Sequence, residues 1–236
     1  ADKFTKVIAT AVDAAREGNK LITVGIQPNR PETGYGYIQF HDTENQVKKV
    51  KTFTEKPELK IAEKFLESGD FVWNAGIFVW TVGAITEAFG INMPEMASVF
   101  EEGTDHFYEV SEKDFIKTAY TQCKSLSIDY GIMEKSDNVY VVLGNFDWSD
   151  LGSWNSLHEI KEKDEHDNVL EANTLLYDSK SNYIKSDSKK LIIAHELEGY
   201  LVADFKDVLV ICKKDAESKF REFVSDVKDK KNTKLL

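Results

Sequence analysis

The feature that most constrains this chain is its opening pair of elements. Phe4, Ile8, Ala11 and Ala15 recur at helical spacing across residues 2–19, and Gly18-Asn19 supplies a stop. The apolar run Leu21–Val24 comes at once afterwards and reads as a buried strand. Helix followed by buried strand is half of a βαβ unit, which directs the fold toward α/β. The strand that would precede the helix is not in the sequence, so the helix begins abruptly.

Further along, Tyr37–Phe40 and Val50–Thr54 read as strands, the second ending at Glu55-Lys56-Pro57. A short amphipathic helix carrying Leu59, Ala62, Phe65 and Leu66 on one face stops at Gly69. A strand at Ile77–Trp80 opens after Trp73-Asn74-Ala75-Gly76. Residues 84–120 read as mostly helical, broken near Pro94 and Gly103, and Val139–Leu143 is another buried strand. The charged stretch 161–168 marks a boundary, giving units of 1–162 and 163–236. Beyond it, short apolar runs at 174–177, 182–184, 191–194, 200–203 and 208–212 alternate with turns and predict a small all-β or solenoid unit. A closing helix from about Asp215 carries Phe220, Phe223, Val224 and Val227, and Lys228-Asp229-Lys230-Lys231 reads as its solvated end.

Charge narrows the partners. With 41 acidic and 30 basic residues the formal net charge is -11, which repels nucleic acid, and no basic stripe offsets it. No apolar run approaches a membrane span and no export leader is visible, so neither nucleic acid nor membrane is expected. Cys123 and Cys212 stand in unrelated contexts and favour a reducing cytoplasm. The five histidines have no zinc-like spacing, and no nucleophile elbow occurs.

Four segments can carry chemistry. Asp150, in Trp148-Ser149-Asp150-Leu151-Gly152-Ser153-Trp154, can offer a hard oxygen ligand to Mg²⁺; it can equally cap the next helix, and Asp147 is an equal ligand on this basis. Pro57 fixes where Lys56 points, so Lys56 can meet a phosphate while Glu55 accepts sugar hydroxyls; a surface ion pair uses the same letters. Gly34-Tyr35-Gly36 allows a ligand close to the backbone, or simply turns into an edge strand. Asn74 suits a hydroxyl or satisfies a local turn.

In this order, the segments Arg30-Pro31-Glu32-Thr33-Gly34-Tyr35-Gly36-Tyr37-Ile38, Phe53-Thr54-Glu55-Lys56-Pro57, Trp73-Asn74-Ala75-Gly76-Ile77-Phe78, Ser127-Ile128-Asp129-Tyr130 and residues 148–154 resemble the sugar nucleotidyltransferases, specifically the mannose-1-phosphate guanylyltransferases. The resemblance covers residues 1–160 strongly, and the closing unit resembles the family's short left-handed β-helix more loosely. It implies an α/β fold: the later part of a Rossmann-like nucleotidyltransferase domain, with a mixed, mainly parallel sheet, plus a small C-terminal β-helix-like unit and terminal helix. Lys56 and Asp150 are then the catalytic residues, with Asp150 the Mg²⁺ ligand; Gly34, Tyr35, Glu55, Lys56, Asn74, Gly76 and Asp129 bind substrate. The implied substrates are mannose-1-phosphate and GTP, joined into GDP-mannose with release of pyrophosphate.

The family's glycine-rich triphosphate loop, first metal-binding Asp and base-reading residues have no counterpart in these 236 residues. The expectation is an N-terminally truncated fragment, inactive alone, whose lost strands leave sheet surface exposed to instability or association. A noncatalytic sugar-phosphate-binding or regulatory domain is the alternative. Whether the closing helix and β unit mediate a homodimer is left open by the sequence.

Overall fold

The computed structural model describes residues 2–229, without the side chains of Glu217 and Ser218. Lys230 and Lys231 of the expected helix end lie outside the described residues. The chain divides into two compact units, Ala1–Trp148 and Ser149–Leu236.

The first unit runs α1 (Asp2–Arg16), β1 (Leu21–Ile26), β2 (Tyr37–Phe40), β3 (Val47–Thr54), α2 (Leu59–Ser68), β4 (Phe71–Val79), α3 (Val82–Asn92), α4 (Pro94–Glu101), α5 (Glu112–Gln122), a π-helical turn Asp129–Met133 and β5 (Val139–Gly144). α1 lays Ala11, Ala14 and Ala15 against Ile22 and Val142; small side chains on that face let helix and strands approach closely. The predicted break at Pro94 is a new helix start, where Pro occupies a first-turn position that needs no N–H. The strands close into a barrel in the order β1-β4-β2-β3-β5. Leu21, Ile38, Val139, Val141, Ile132 and Met133 are buried in one cluster, each fully buried aliphatic side chain contributing roughly 1.5–3 kcal/mol.

Three expectations change here. The sheet is mixed, but the barrel has a single parallel pairing, β1 with β5, and four antiparallel ones. The short β2–β3 connection permits only a hairpin, and β4 pairs antiparallel with both β1 and β2. Sheet edges are not left open among the described residues of this unit, because β5 lies parallel beside β1 and β3 closes on β5. Trp73-Asn74-Ala75-Gly76 is not a turn before a strand: it lies within β4. Thr23 pairs with Phe78 and Gly25 with Asn74, so β4 spends four steps where β1 spends two, and Gly76 absorbs the bulge at φ 68°.

The second unit begins ahead of α6 (Trp154–Ile160), not after it. Trp154 and Leu157 pack on Val169, Tyr183 and Leu201, which ties α6 to the β-rich segment. Charged residues 161–168 therefore form a loop inside this unit and not its border. The unit continues with β6 (Val169–Glu171), β7 (Asn173–Tyr177), β8 (Tyr183–Ser186), β9 (Leu191–His195), β10 (Tyr200–Phe205), β11 (Val208–Lys213), a 3₁₀ turn Lys214–Lys219 and α7 (Phe220–Asp229). β6, β8 and β10 stack in parallel as one sheet and β7 and β9 as another, the rung-like arrangement expected, with β11 antiparallel at the end. Buried Asn168 and Asn182 link the rungs: the Asn182 amide donates to Asn168 Oδ1 at 3.0 Å and to the Leu197 carbonyl at 2.7 Å. No helix among the described residues is long and apolar enough to cross a membrane.

Candidate functional site

In the first unit, consecutive strands deliver the predicted residues to one place. β3 ends at Thr54, and the chain turns through Glu55 and Lys56 before Pro57, which sets that turn ahead of α2. Lys56 has φ 48°, a left-handed conformation unusual for a residue with a Cβ. Its N–H donates to the Tyr35 carbonyl at 3.2 Å, and the Glu55 N–H donates to Glu134 Oε1 at 2.9 Å.

The expected ion pair forms, Lys56 Nζ to Glu55 Oε1 at 3.1 Å, but asymmetrically: the Glu55 side chain is 8% exposed and that of Lys56 57%. The second Glu55 oxygen, Oε2, is buried and has no hydrogen-bond partner among the described residues. Burial pushes the Glu55 carboxyl above its ordinary 4.5, Lys56 pulls it back, and Asp129 and Glu134 add to the rise. The hydrogen bond to Glu55, and its charge, push the Lys56 amine up from 10.5.

Asn74, buried in β4, has its amide orientation fixed on both sides. Its Oδ1 accepts from Thr23 Oγ1 at 2.9 Å and from the Gly76 N–H at 3.1 Å; its Nδ2 donates to Asp129 Oδ1 at 3.1 Å. One amide hydrogen is left over by this count. Its backbone N–H donates to the Gly36 carbonyl at 2.7 Å. A Cβ on Gly36 would strike Glu55 Oε2 and come within 3.2 Å of the Asn74 Cβ, so a side chain there would displace the Glu55 carboxylate. Gly34 is not crowded in this way: its N–H donates to Glu32 Oε1 at 3.1 Å, while Glu32 Oε2 accepts from Arg30 at 3.2 Å. The Arg30 guanidinium lies 5.4 Å from the centre of the Trp73 ring.

The structure thus brings together Glu55, Lys56, Asn74 and Asp129, with exposed Gly76 adjoining. Tyr35 differs from expectation in its side chain, which is buried edge-on against Trp73 and Trp148, both at 5.1 Å. Its backbone, through the bond from Lys56, is what reaches the site. Gly36, already legible in the Gly-Tyr-Gly string, joins this cluster, as do Thr23 and Glu134, which nothing in composition or spacing marks.

Asp150 belongs to the second unit and is exposed. The helix-cap reading fails, because Ser153 is the residue that caps α6, accepting the Ser156 N–H at 2.9 Å. Asp150 Oδ1 instead accepts from Ser156 Oγ at 3.3 Å, and a Cβ on Gly152 would come within 2.5 Å of Asp150 Oδ2. Among the described residues no group of three or more His, Cys, Asp or Glu side chains is placed to hold a metal. A carboxylate such as Asp150 still fits Mg²⁺, which takes one or two carboxylates and completes its shell with phosphate and water.

Curated relatives share this sequence at moderate identity. A mannose-1-phosphate guanylyltransferase of Escherichia coli is 31% identical over 229 residues, covering 94% of this chain and 48% of the relative. One from Klebsiella pneumoniae is 34% identical over 232 residues, covering 95% and 48%. The chain therefore spans about half the length of these relatives. The crystal structure of a mannose-1-phosphate geranyltransferase from Thermus thermophilus matches with TM-score 0.84 at 30% identity, over 96% of this chain and 65% of that one. Residues 1–167 match the nucleotidyl transferase family, and with the greater part of its length so accounted for, the chain belongs to that family.

Proposed function

We propose that this chain carries the sugar-phosphate side of a mannose-1-phosphate guanylyltransferase, which joins mannose-1-phosphate to GTP and releases pyrophosphate. The observation that carries the reading is the buried, unpartnered Glu55 Oε2 beside an exposed lysine and a fixed amide. A buried carboxylate oxygen without a donor costs free energy, and a ligand hydroxyl supplies that donor once the Glu55 side chain turns toward it. Lys56 supplies the point charge for the phosphate, and the remaining Asn74 amide hydrogen a second directional contact. Gly76 leaves room for close approach, Gly34 and Tyr35 shape the entering loop, and Asp129 serves the site by orienting Asn74.

In the reaction, a phosphate oxygen of the sugar forms a bond to the α-phosphorus of GTP as the bond to the β-phosphate oxygen breaks, and pyrophosphate leaves. The protein's part is alignment and charge neutralisation, with no covalent nucleophile. Asp150 would hold Mg²⁺, which would supply neutralisation of phosphate charge. Residues 1–236 contain no glycine-rich triphosphate loop, so we infer that this stretch by itself binds sugar phosphate without turning it over.

Calorimetric titration with mannose-1-phosphate, with and without Mg²⁺, tests the binding, and a pyrophosphate-release assay with GTP tests turnover. Saturable binding lost in Lys56→Ala supports the proposal. Absence of binding sinks it, and turnover at the rate of an ordinary enzyme sinks the inference about this stretch.

A further inference from the structure

The Glu55–Lys56 turn poses a problem of its own. Lys56 adopts a left-handed conformation at φ 48° although a proline comes next, and a residue before proline prefers extended backbone. Strain kept at a candidate site must be held there by its surroundings. Two backbone hydrogen bonds do so. One, from Lys56 to the Tyr35 carbonyl, continues the β2–β3 pairing. The other leaves the sheet altogether, from the Glu55 N–H to the Glu134 carboxylate at 2.9 Å.

Glu134 is well mounted for this. It caps the π-helical turn Asp129–Met133, its own N–H donating to the Asp129 carbonyl at 2.9 Å. The two preceding side chains, Ile132 and Met133, are almost wholly buried in the main core. The choice of a carboxylate is costly as a purely structural device. It stands close enough to Glu55 to raise that group's affinity for a proton, so like charges oppose each other at the turn. Lys56 is the compensating cation, and Asp129 and Tyr130 are the other titratable groups felt there.

We propose that Glu134 is a positioning residue: its carboxylate pins the Glu55 backbone, fixes the left-handed Lys56 turn, and so aims the lysine at the phosphate of the substrate. The proposal rests on the sugar-phosphate reading of Lys56 and adds to it a residue that never touches the ligand.

The test compares Glu134→Ala with Glu134→Gln in the 236-residue chain. Both remove the charge, but only glutamine keeps an acceptor for the Glu55 N–H. Amide hydrogen exchange at Glu55 is expected to speed up about tenfold in Glu134→Ala and to stay within about twofold in Glu134→Gln. The Glu55 carboxyl, followed by carbon NMR, should titrate lower in Glu134→Gln than in Glu134→Ala, since only the former keeps Lys56 in place. Affinity for mannose-1-phosphate should fall about tenfold in Glu134→Ala, equivalent to ~1.4 kcal/mol, and be kept in Glu134→Gln.

If the two variants exchange and titrate alike, the positioning role is overturned. It is also overturned if exchange separates them while both bind mannose-1-phosphate as the parent does, because the bond is then merely structural. If the parent itself binds no mannose-1-phosphate while exchange and titration separate the variants as stated, Glu134 still positions Lys56 and the sugar-phosphate reading is what fails.

Discussion

Replacing Asn74 by Asp changes one atom group and leaves the shape intact, so its cost measures how firmly the amide is specified. The Nδ2 that donates to Asp129 Oδ1 at 3.1 Å becomes an oxygen facing a carboxylate. Two full charges at that separation repel by ~5 kcal/mol at an effective dielectric of about 20. The alternative is for the pair to hold one proton, restoring an O–H···O contact. At about pH 7 that costs ~4 kcal/mol for a carboxyl that ordinarily titrates near 4. The cheaper route sets the loss, so Asn74→Asp should destabilise the first unit by ~4 kcal/mol near pH 7.

The sign with pH comes from the proton uptake. The folded variant binds a proton that the unfolded chain releases, so its stability falls as pH rises and recovers as pH falls. Between about pH 7 and pH 5 the deficit relative to the parent should shrink by roughly 3 kcal/mol. Urea unfolding at the two pH values reads this directly. The pair exchanged, Asn74→Asp with Asp129→Asn, restores one donor and one carboxylate and should recover most of the loss at either pH. A deficit that does not change with pH, or an exchanged pair no better than Asn74→Asp alone, would refute the reasoning.

Other expectations rest on the same kind of contact. In Gly25→Ala the new Cβ would meet the Val72 Cγ2 at 2.5 Å and the Val141 Cγ2 at 2.7 Å from two other strands, and overpacking of this kind costs about 1–3 kcal/mol, to be read from urea midpoints at constant slope. Burial holds the Glu55 carboxyl above 4.5, so the folded state keeps that proton longer than the unfolded one. Stability should therefore decline as pH rises from 4.5 to the raised value and be flat in this respect above it; Glu55→Gln should remove that decline. Asn182→Ala strands the Tyr200 N–H inside the second unit and removes one of two donors from the Asn168 Oδ1 and from the Leu197 carbonyl, which keep the backbone N–H groups of residue 182 and Lys180. A loss of about 1–3 kcal/mol in thermal unfolding of that unit is expected, since one N–H is left without its acceptor.

Legibility in the sequence tracked the range of the physics. α2 and its stop at Gly69, and the strands β7 to β11, rest on local periodicity and turn residues, and they stand where the sequence places them. β6, only Val169–Glu171, was hidden by its brevity and its polar approach. The strand through Asn74 was hidden because Asn and Gly are turn residues by propensity, and a bulge is where a strand can accommodate them. Highly charged residues 161–168 looked like a boundary, yet Asp164 receives the N–H groups of His166 and Asn168 and closes a local turn. The true division, at Trp148, is decided by what Trp154 and Leu157 bury, a long-range fact. At the site, Lys56 and Asn74 were legible as chemical types in a recognisable order. Their partners Thr23, Asp129 and Glu134 are distant in sequence; only Asp129 sat in a motif.

Closure of the barrel explains how so exposed a lysine can be so firmly placed. Thr23 sits on β1, Glu55 comes directly after β3, Asn74 lies in β4, and the Asp129–Glu134 segment leads into β5. An open sheet can relax a local change by bending at its edge, but here each strand is hydrogen-bonded on both sides. The bulge in β4 is what this rigidity requires, since a regular strand would turn the side chain of every second residue away. By spending extra residues around Gly76, β4 keeps its register with β1 at both ends while setting Asn74 between Thr23 and Asp129. The same bulge leaves Gly76 exposed and open beside that amide. Strand pairing thus orients Asn74 and makes room next to it in one step, and Glu134 does for the Glu55–Lys56 turn what Asp129 does for Asn74.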